Sequence, residues 1–197
     1  EGVTGELGFV TEKISEGDIV VISGSMPKGS PEDTYYVWTK ACREKGAKVI
    51  LDADGALFAT GVKASPYLVK PNNHELSRFA GRKLETVEEL EAEAKKLMQD
   101  YGIKKVVVSM GGDGALYVTE EKTIYAEGLK VPVGSTVGAG DSVVAALAFA
   151  EENGNSLEDT VRLSTATGGA NVMCSGTQAA EYEVIESLMP KVVFRTL

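Results

Sequence analysis

Short runs of aliphatic residues alternate with helical segments along most of the chain, and this alternation restricts the fold more than any other feature. "DIVVISGS" (18–25) predicts a buried strand that ends in a turn, and "KVILD" (48–52) and "PYLVKP" (66–71) predict two more. Strands that are nearly continuous in Val, Ile and Leu are typical of a parallel sheet with helices on both faces. We therefore expect a single α/β domain over residues 1–197, built on a mostly parallel sheet.

Two of the helices have clear start signals. Ser30 can cap a helix whose first residue is Pro31, and Asp33 occupies the position of the capping-box acid. That helix is expected to end near Gly46. Thr86 and Glu89 form a capping box before the clearest helix of the sequence. The apolar stripe of this second helix consists of Leu90, Ala94, Leu97, Met98 and Tyr101.

Strand signals continue in the second half of the chain. "KKVVVSMGGDGALYVT" (104–119) predicts a strand, a glycine turn and another strand, and "KTIYAEGLKVPV" (122–133) predicts an extended stretch. Ser156 and Asp159 mark the start of a last helix. Polar, glycine-rich groups follow several strands, and in parallel sheets ligands bind at the carboxyl ends of the strands.

Composition narrows the range of functions. The formal net charge is −9, so the basic surface that attracts duplex nucleic acid or an anionic membrane is not expected. No apolar run is long enough to cross a bilayer, and no signal peptide is expected. Cys42 and Cys174 lie outside any CxxC pair, and we expect two small buried side chains in a reducing cytoplasm. The chain starts at Glu1 without a methionine, as expected of a fragment or a processed product.

"STVGAGDSVVAALAFA" (135–150) sets three small residues and an acid directly before an apolar run. It is not a Walker A loop, because no Gly-Lys-Ser/Thr follows, and it lacks the third glycine of a dinucleotide fingerprint. Gly138, Ala139 and Gly140 would enter the first turn of a helix, where unpaired backbone N–H groups attract an anion. The helix that follows is apolar on nearly all faces and is expected to be buried and rigid.

Asp141 has two interpretations when it is read alone. It is either an acid that the helix dipole stabilises, without a chemical role, or a general base that accepts a hydroxyl proton beside an anion-binding turn. In phosphoryl transfer the second combination is coherent, because N–H donors hold the charge of the transferring group while a carboxylate orients the attacking alcohol.

Four motifs in order resemble those of a known family. "SGSMPKG" (23–29), "KPNNHE" (70–75), "VSMGGDGALY" (108–117) and "TVGAGDSVVAA" (136–146) are similar to four elements of the ribokinase-like carbohydrate kinases, the PfkB family. In that family these are the substrate loop, the Asn-x-x-Glu element, the nucleotide loop and the C-terminal signature. The resemblance covers almost the whole chain. It implies a three-layer α/β/α sandwich that here lacks the N-terminal strands and the β lid.

The resemblance implies a catalytic role for the glycine loop. Asp141 would be the catalytic base, and the backbone of Gly138, Ala139 and Gly140 would form the anion hole. Contacts to the sugar phosphate would come from Gly24, Ser25 and Asp141. Read alone, "SGSMP" is an ordinary loop sequence.

The resemblance also implies a magnesium element. Asn72 and Glu75 would organise Mg²⁺, through water, near the phosphates of ATP, as suits a hard cation that keeps its hydration shell. Read alone, Asn72 is also a preferred N-cap for the short helix expected over 73–80. Lys70 follows a strand and would contact phosphate as a point charge. His74 is expected to be exposed at the helix start, with a phosphate contact as the alternative.

ATP would be enclosed by a second glycine-rich segment. The ATP contacts implied are Ser109, Met110, Gly111, Gly112, Asp113, Gly114, Gly140 and Lys70. "GGDG" is also a good hairpin turn without any ligand, and both interpretations are compatible. "GGANVMCSGTQ" (168–178) lies where relatives place adenine contacts and, in some, a monovalent cation. Cys174 and Gln178 depart from those relatives, so no cation site is predicted.

Within the family, "DADG", "PYLVKPNNHEL", "AGRKL" and "STVGAGDSVVA" most resemble the members that use ATP and Mg²⁺ to phosphorylate fructose 1-phosphate to fructose 1,6-bisphosphate. Tagatose 6-phosphate is the alternative acceptor. A nucleotide-binding fragment without turnover is a different class of function, and a nicotinamide-dependent oxidoreductase is disfavoured by the missing fingerprint. In relatives the lid strands commonly form a dimer contact, so the intact protein is expected to be a homodimer.

Overall fold

The computed structural model describes the backbone of residues 2–197 and the side chains of residues 7–197. The expectation that concerns Glu1 lies outside the described residues. The chain divides into two compact units, Glu1–Val106 and Val107–Leu197. That residues 1–197 form one domain stays a prediction.

The first unit is built on parallel strands. Its helices are α1 (Gly2–Thr11), α2 (Thr34–Glu44), α3 (Gly55–Gly61), α4 (Asn73–Ala80) and α5 (Val87–Tyr101). Its strands are β1 (Ile19–Ser23), β2 (Lys48–Asp52), β3 (Leu68–Val69) and the start of β4 (Lys105–Ser109). β1 pairs with β2, β2 with β3, and β3 with the first two residues of β4, always in parallel. The parallel arrangement expected from the sequence is confirmed in this unit.

The core of the first unit comes from aliphatic strands and the apolar sides of helices. Val49, Ile50 and Leu51 of β2 are fully buried, and most of the residues of the stripe predicted for α5 are buried. Each such side chain contributes about 1.5–3 kcal/mol when it leaves water. Tyr101, at the end of the stripe, stays half-buried.

One helix boundary and one whole helix in the first unit differ from the sequence-based expectation. α2 begins at Thr34 rather than near Ser30, because residues before it form a turn in which Thr34 Oγ1 donates to the Pro31 carbonyl at 2.7 Å. Asp33 occupies the N-cap without a side-chain capping bond. α1 was not predicted, since its three glycines lower helix propensity.

The second unit is built on antiparallel strands. Its strands after the end of β4 are β5 (Gly114–Thr119), β6 (Thr123–Glu127) and β7 (Phe194–Thr196). Its helices are α6 (Ala139–Glu152), α7 (Leu157–Met173) and α8 (Tyr182–Leu188). β5 pairs with β6 and β6 with β7, both antiparallel, so the parallel pattern does not extend through this unit. α8 and β7 were not predicted.

Two adjacent glycines allow α7 to pack closely within the second unit. A Cβ on Gly168 would lie 2.9 Å from Cγ2 of Val143 in α6, and a Cβ on Gly169 would lie 2.9 Å from Cδ1 of Leu129. Each glycine in a helix interior costs about 1 kcal/mol relative to alanine. The glycines therefore trade helix propensity for a close approach of α7 to α6 and to the loop that follows β6.

The prediction that α6 is buried on nearly all faces is wrong for one face. Val144, Leu147 and Ala150 are buried, but Phe149 is 58% exposed and Ala145 is exposed. Apolar composition did not distinguish the packed face from the open one, because the run has no polar residue to mark a solvent side.

Neither cysteine is in a disulfide, and their surroundings differ. Cys42 is buried in α2, as expected, and burial raises the pKa of its thiol. Cys174 is only half-buried, contrary to expectation, because it lies just beyond the end of α7. Across the described residues, no helix combines the length and the apolar character needed to span a bilayer.

Candidate active site

The N-terminus of α6 is capped by a glycine. Gly138 has φ 80°, in the left-handed region, and its carbonyl accepts the first helical bond from Ser142 N–H at 2.9 Å. Ala139 N–H reaches the Thr136 carbonyl at 3.4 Å. Because glycine has no capping side chain, no described side chain satisfies the N–H groups of Gly140 and Asp141. Two backbone donors at the positive end of a 14-residue helix are thus available for an anion.

Asp141 lies in this first turn with its carboxylate exposed. Among the side chains that the structure describes, none forms an ion pair or a hydrogen bond with it. It stands at a cleft of about 640 Å³, within the size range of small-molecule sites. The rest of the cleft wall is largely apolar and includes Ala145, Phe149, Leu163, Ala180, Tyr182 and Ile185.

Asn171 is a polar residue of this cleft that the sequence reasoning missed. It is 6% exposed, and its Nδ2 donates to the Gln178 carbonyl at 3.2 Å. Its Oδ1 is buried and has no hydrogen-bond partner among the described atoms. A Cβ on Gly138 would lie 3.8 Å from this oxygen. The signal in the sequence was an amide inside a small-residue helix, "GGANVM", where an unpaired polar atom is costly.

The 109–114 segment forms a tight turn between β4 and β5. Met110 N–H donates to the Gly114 carbonyl at 2.8 Å, and Gly111–Asp113 form one turn of 3₁₀ helix. Gly114 has φ 108°, and a Cβ there would lie 2.0 Å from the Ala126 carbonyl, so only glycine fits. Gly111, Gly112 and Asp113 are exposed. The turn therefore holds its conformation without a ligand, as the hairpin interpretation requires. Its backbone is also exposed to solvent.

In the first unit, Asn72 and Glu75 form a reciprocal capping box at the start of α4. Asn72 Oδ1 accepts from Glu75 N–H, and Glu75 Oε2 accepts from Asn72 N–H, both at 2.8 Å. The N-cap interpretation of Asn72 is thus confirmed, and the magnesium role stays a prediction. α4 occupies 73–80 as expected, and His74 is exposed in its first turn.

The capping glutamates of α4 and α5 have opposite pKa shifts. Half-burial of Glu75, with the carboxylates of Asp54 and Asp52 nearby, raises its pKa despite the Asn72 N–H bond and Lys70. Glu89 has the same capping geometry with a side chain that is 38% exposed, and the N–H groups of Glu85 and Thr86 lower its pKa. A carboxylate with a raised pKa beside other acids is a frequent property of functional sites.

Lys70 is almost fully buried and partnered. It is 7% exposed, and its Nζ lies 3.2 Å from Asp52 Oδ1, at the ends of two neighbouring strands. In the described part of the chain, no cluster of three or more His, Cys, Asp or Glu side chains is arranged to enclose a metal. A metal in this unit would therefore rely on water for most of its ligands.

The carboxyl end of β1 continues into what we call the β1 turn, residues 23–25. Gly24 has φ 93°, and Gly24 and Ser25 are exposed. Tyr35 of α2, 2% exposed, donates its hydroxyl to the carbonyls of Ser23 and Gly24 at 3.0 and 3.1 Å. Burial, and then the Asp52 carboxylate, raise the pKa of Tyr35, so the hydroxyl stays a donor at neutral pH.

A comparison with known proteins assigns the chain to a family. It matches the pfkB family carbohydrate kinases over residues 4–183 and belongs to that family. It is 38% identical over 181 residues to the 1-phosphofructokinase of Bacillus subtilis, covering 92% of this chain and 59% of that protein. It is 34% identical over 164 residues to the D-tagatose-1-phosphate kinase of Bacillus licheniformis, covering 83% of this chain and 54% of that protein.

A solved structure of phosphofructokinase-2 from Escherichia coli in complex with potassium has the same fold. It superposes with a TM-score of 0.89 at 32% identity, over 95% of this chain and 61% of that chain. The ribokinase-like α/β fold expected from the four motifs is confirmed. The chain spans about 60% of the length of the relatives it matches.

Proposed function

We propose that the protein transfers the γ-phosphoryl group of ATP to a hydroxyl of a sugar phosphate, converting fructose 1-phosphate to fructose 1,6-bisphosphate. The observation that carries the proposal is the first turn of α6. There, two uncapped N–H donors stand beside the exposed Asp141 carboxylate, which no described group engages. Membership of the pfkB family and the 38% identical 1-phosphofructokinase support the same reaction class and acceptor.

In this mechanism Asp141 is the general base. Its carboxylate takes the proton of the acceptor hydroxyl as the oxygen attacks the γ-phosphorus, and the bond from that phosphorus to the bridging oxygen of ADP breaks. The N–H groups at Gly140 and Asp141 donate to the phosphoryl oxygens as charge develops on them, with Gly138 and Ala139 shaping the turn. Because the transition state is loose, the general base need not be strong.

For the nucleotide we propose residues 109–114, Gly140 and Lys70. The 109–114 segment offers exposed backbone, and its small residues allow phosphate to approach that backbone closely. Lys70 Nζ lies 3.2 Å from Asp52 Oδ1, and because an ammonium group has three N–H donors it can contact a phosphate oxygen while it keeps this ion pair.

For Mg²⁺ we propose Asn72 and Glu75. One Glu75 oxygen is engaged by the capping box, which leaves Oε1 as the acceptor for metal-bound water, and this donor set fits a hydrated hard cation. When bound, Mg²⁺ neutralises charge on the nucleotide phosphates. Gly24 and Ser25 would hold the sugar phosphate. The intact protein would act in the cytoplasm as a homodimer.

The decisive experiment is a coupled assay of ADP release with Mg·ATP and fructose 1-phosphate, on both the intact protein and the 197-residue chain. Phosphorylation by the intact protein is expected, with the new phosphate at the 6-position by ³¹P NMR. Absence of ADP release by the intact protein with every sugar phosphate offered would contradict the proposal. Turnover by the intact protein alone would mean that the 197-residue chain is a nucleotide-binding portion without activity.

A second acceptor is favoured by one observation, the 34% identity to a D-tagatose-1-phosphate kinase. Tagatose 1-phosphate and tagatose 6-phosphate are therefore included beside fructose 1-phosphate. A kcat/KM at least tenfold higher with a tagatose phosphate would replace fructose 1-phosphate as the acceptor and leave the kinase class intact.

A further inference from the structure

One buried hydroxyl holds two consecutive carbonyls of the β1 turn. Tyr35 Oη lies 3.0 Å from the Ser23 oxygen and 3.1 Å from the Gly24 oxygen. The tyrosine is 2% exposed, so this hydroxyl has little access to water and its bonding is with the turn. Neither bond belongs to a helix or to the β1–β2 ladder. The contact therefore serves the conformation of the turn itself.

Because the peptide bond is planar, this contact sets the direction of two backbone N–H donors. The peptides here are trans, and in a trans peptide the N–H points opposite to the C=O. Because the Ser23 and Gly24 carbonyls both point at Tyr35, the N–H groups of Gly24 and Ser25 both point away from it. Two successive N–H groups on one side, with a left-handed residue between them, form an anion-binding nest.

The conformation of the turn needs such an anchor. Gly24 has φ 93°, a region that glycine leaves easily because it has no side-chain restriction, and the turn is exposed. The β1–β2 register ends at Ser23, which pairs with Asp52, so Gly24 and Ser25 lie beyond the ladder. Tyr35 thus fixes the part of the turn that the sheet does not.

We propose that Tyr35 is a positioning residue that aims the N–H groups of Gly24 and Ser25 at the phosphate of the sugar phosphate. This inference rests on the proposed kinase function. Tyr35 does not touch the substrate and takes no proton. It sets the affinity for the acceptor rather than the rate of phosphoryl transfer.

Tyr117 supplies a matched control in the second unit. It is also 2% exposed, and its hydroxyl also has two partners, Ser164 Oγ at 2.8 Å and Thr165 Oγ1 at 3.1 Å. Both partners are side chains of α7, so its hydroxyl directs no backbone donor. Tyr117→Phe and Tyr35→Phe thus remove the same group with a similar loss of stability and a different functional consequence.

The test measures both variants in the intact protein. For Tyr35→Phe we expect the KM for fructose 1-phosphate to rise about tenfold or more, as hydrogen bonds to a charged group are lost. The kcat and the KM for ATP should stay within about twofold, and Tyr117→Phe should change none of the three constants beyond that range. An unchanged KM for the sugar phosphate in Tyr35→Phe, or an equal rise in Tyr117→Phe, would overturn the inference.

A second readout separates this inference from the proposed function. Backbone ¹⁵N order parameters of Gly24 and Ser25, measured by NMR in the 197-residue chain, should fall clearly in Tyr35→Phe and not in Tyr117→Phe, because the turn loses its anchor. If the wild-type protein has no kinase activity, the proposed function fails and the order parameters still decide whether Tyr35 holds the turn. Unchanged order parameters at both residues would contradict the inference even in an active enzyme.

Discussion

The two units hold their candidate functional groups in opposite ways. In the first unit those groups are bonded to one another or to the backbone: Asn72 with Glu75, Lys70 with Asp52, and the β1 turn with Tyr35. In the second unit they are left open. No described side chain caps the first turn of α6 or engages Asp141, and Asn171 Oδ1 has no described partner.

The bonded groups of the first unit are suited to positioning a ligand, and the open groups of the second unit are suited to taking part in the reaction. A group that already has a hydrogen bond is fixed in direction, which lowers the ordering cost when a ligand binds beside it. A group with unsatisfied capacity gains most when charge arrives, and this is the property needed where charge develops during a reaction. The comparison predicts that substitutions in the second unit affect turnover, and that those in the first unit affect binding of metal and substrate.

The largest expected effect is that of Asp141→Asn. Asparagine keeps the shape but cannot accept the hydroxyl proton, so kcat should fall by about 10²–10⁴-fold with the KM for ATP nearly unchanged. Steady-state kinetics of the intact protein measure this. Glu183→Gln is the control, because Glu183 is an exposed acid in the first turn of α8. Near-normal turnover in Asp141→Asn would show that Asp141 is not the general base. The main contrast between the two units would then be lost.

Next in size is Glu75→Gln against Glu89→Gln. Glutamine also closes a capping box, and at position 75 it removes the cost of a half-buried charge, so the melting temperature should hold or rise. The Mg²⁺ concentration for half-maximal activity should rise about tenfold or more in Glu75→Gln, because water-mediated metal contacts are lost. Glu89→Gln should leave the Mg²⁺ dependence unchanged. Equal Mg²⁺ dependence of both variants would mean that Glu75 caps α4 and has no role in binding Mg²⁺.

A smaller effect is expected from Gly168→Ala, with Gly169→Ala as its neighbour. The new methyl at 168 meets Val143, whose β-branched side chain is stiff in a helix, so α6 must shift at a cost of about 1–3 kcal/mol. A displaced α6 also misplaces its first turn, and kcat should fall about tenfold. At 169 the methyl meets the flexible end of Leu129, and the gain in helix propensity offsets the contact. Thermal unfolding and kcat together measure both, and equal behaviour of the two variants would contradict this account.

The smallest effect is expected from Tyr117→Phe. Its hydroxyl joins β5 to α7, and its loss should cost about 1 kcal/mol of unfolding free energy, as for a typical buried hydrogen bond. Ser164 keeps a partner, because its Oγ also donates to the Thr160 carbonyl at 2.6 Å. Urea denaturation measures the change. A loss of several kcal/mol would indicate that this hydroxyl network is more cooperative than its separate bonds.

The sequence predicted those features that depend on neighbouring residues. The boundaries of α4, the Thr86–Glu89 capping box and the strand at 48–52 match, because caps and β-branched runs are local signals. α1, the antiparallel second unit and the exposed face of α6 did not follow from it. The pairing of β6 with β7 and the exposed face of α6 depend on contacts between residues far apart in sequence, which residue patterns do not encode, and the three glycines of α1 weaken its helix signal.

The residues of the candidate site likewise fall into those that the sequence identifies and those that it does not. The glycine loop, Asp141 and the Asn-x-x-Glu element were identifiable as short motifs with a chemical rationale. Tyr35, Asp52 and Asn171 were not, since their importance depends on which distant atom each hydroxyl, carboxylate or amide meets. Residues that position others leave no motif, because their own chemistry is that of ordinary core side chains.

The glycine cap of α6 has a consequence for the folded state. Serine or aspartate would be strained at φ 80°, and as an N-cap glycine is only about a few tenths of a kcal/mol less favourable than these residues, so glycine leaves the N–H groups of the first turn to the ligand at little cost to the helix. Binding of a phosphate-bearing ligand then completes the helix end, and this free energy is linked to folding. The melting temperature should accordingly rise with nucleotide concentration, so that thermal stability reports occupancy of the phosphoryl site even without turnover.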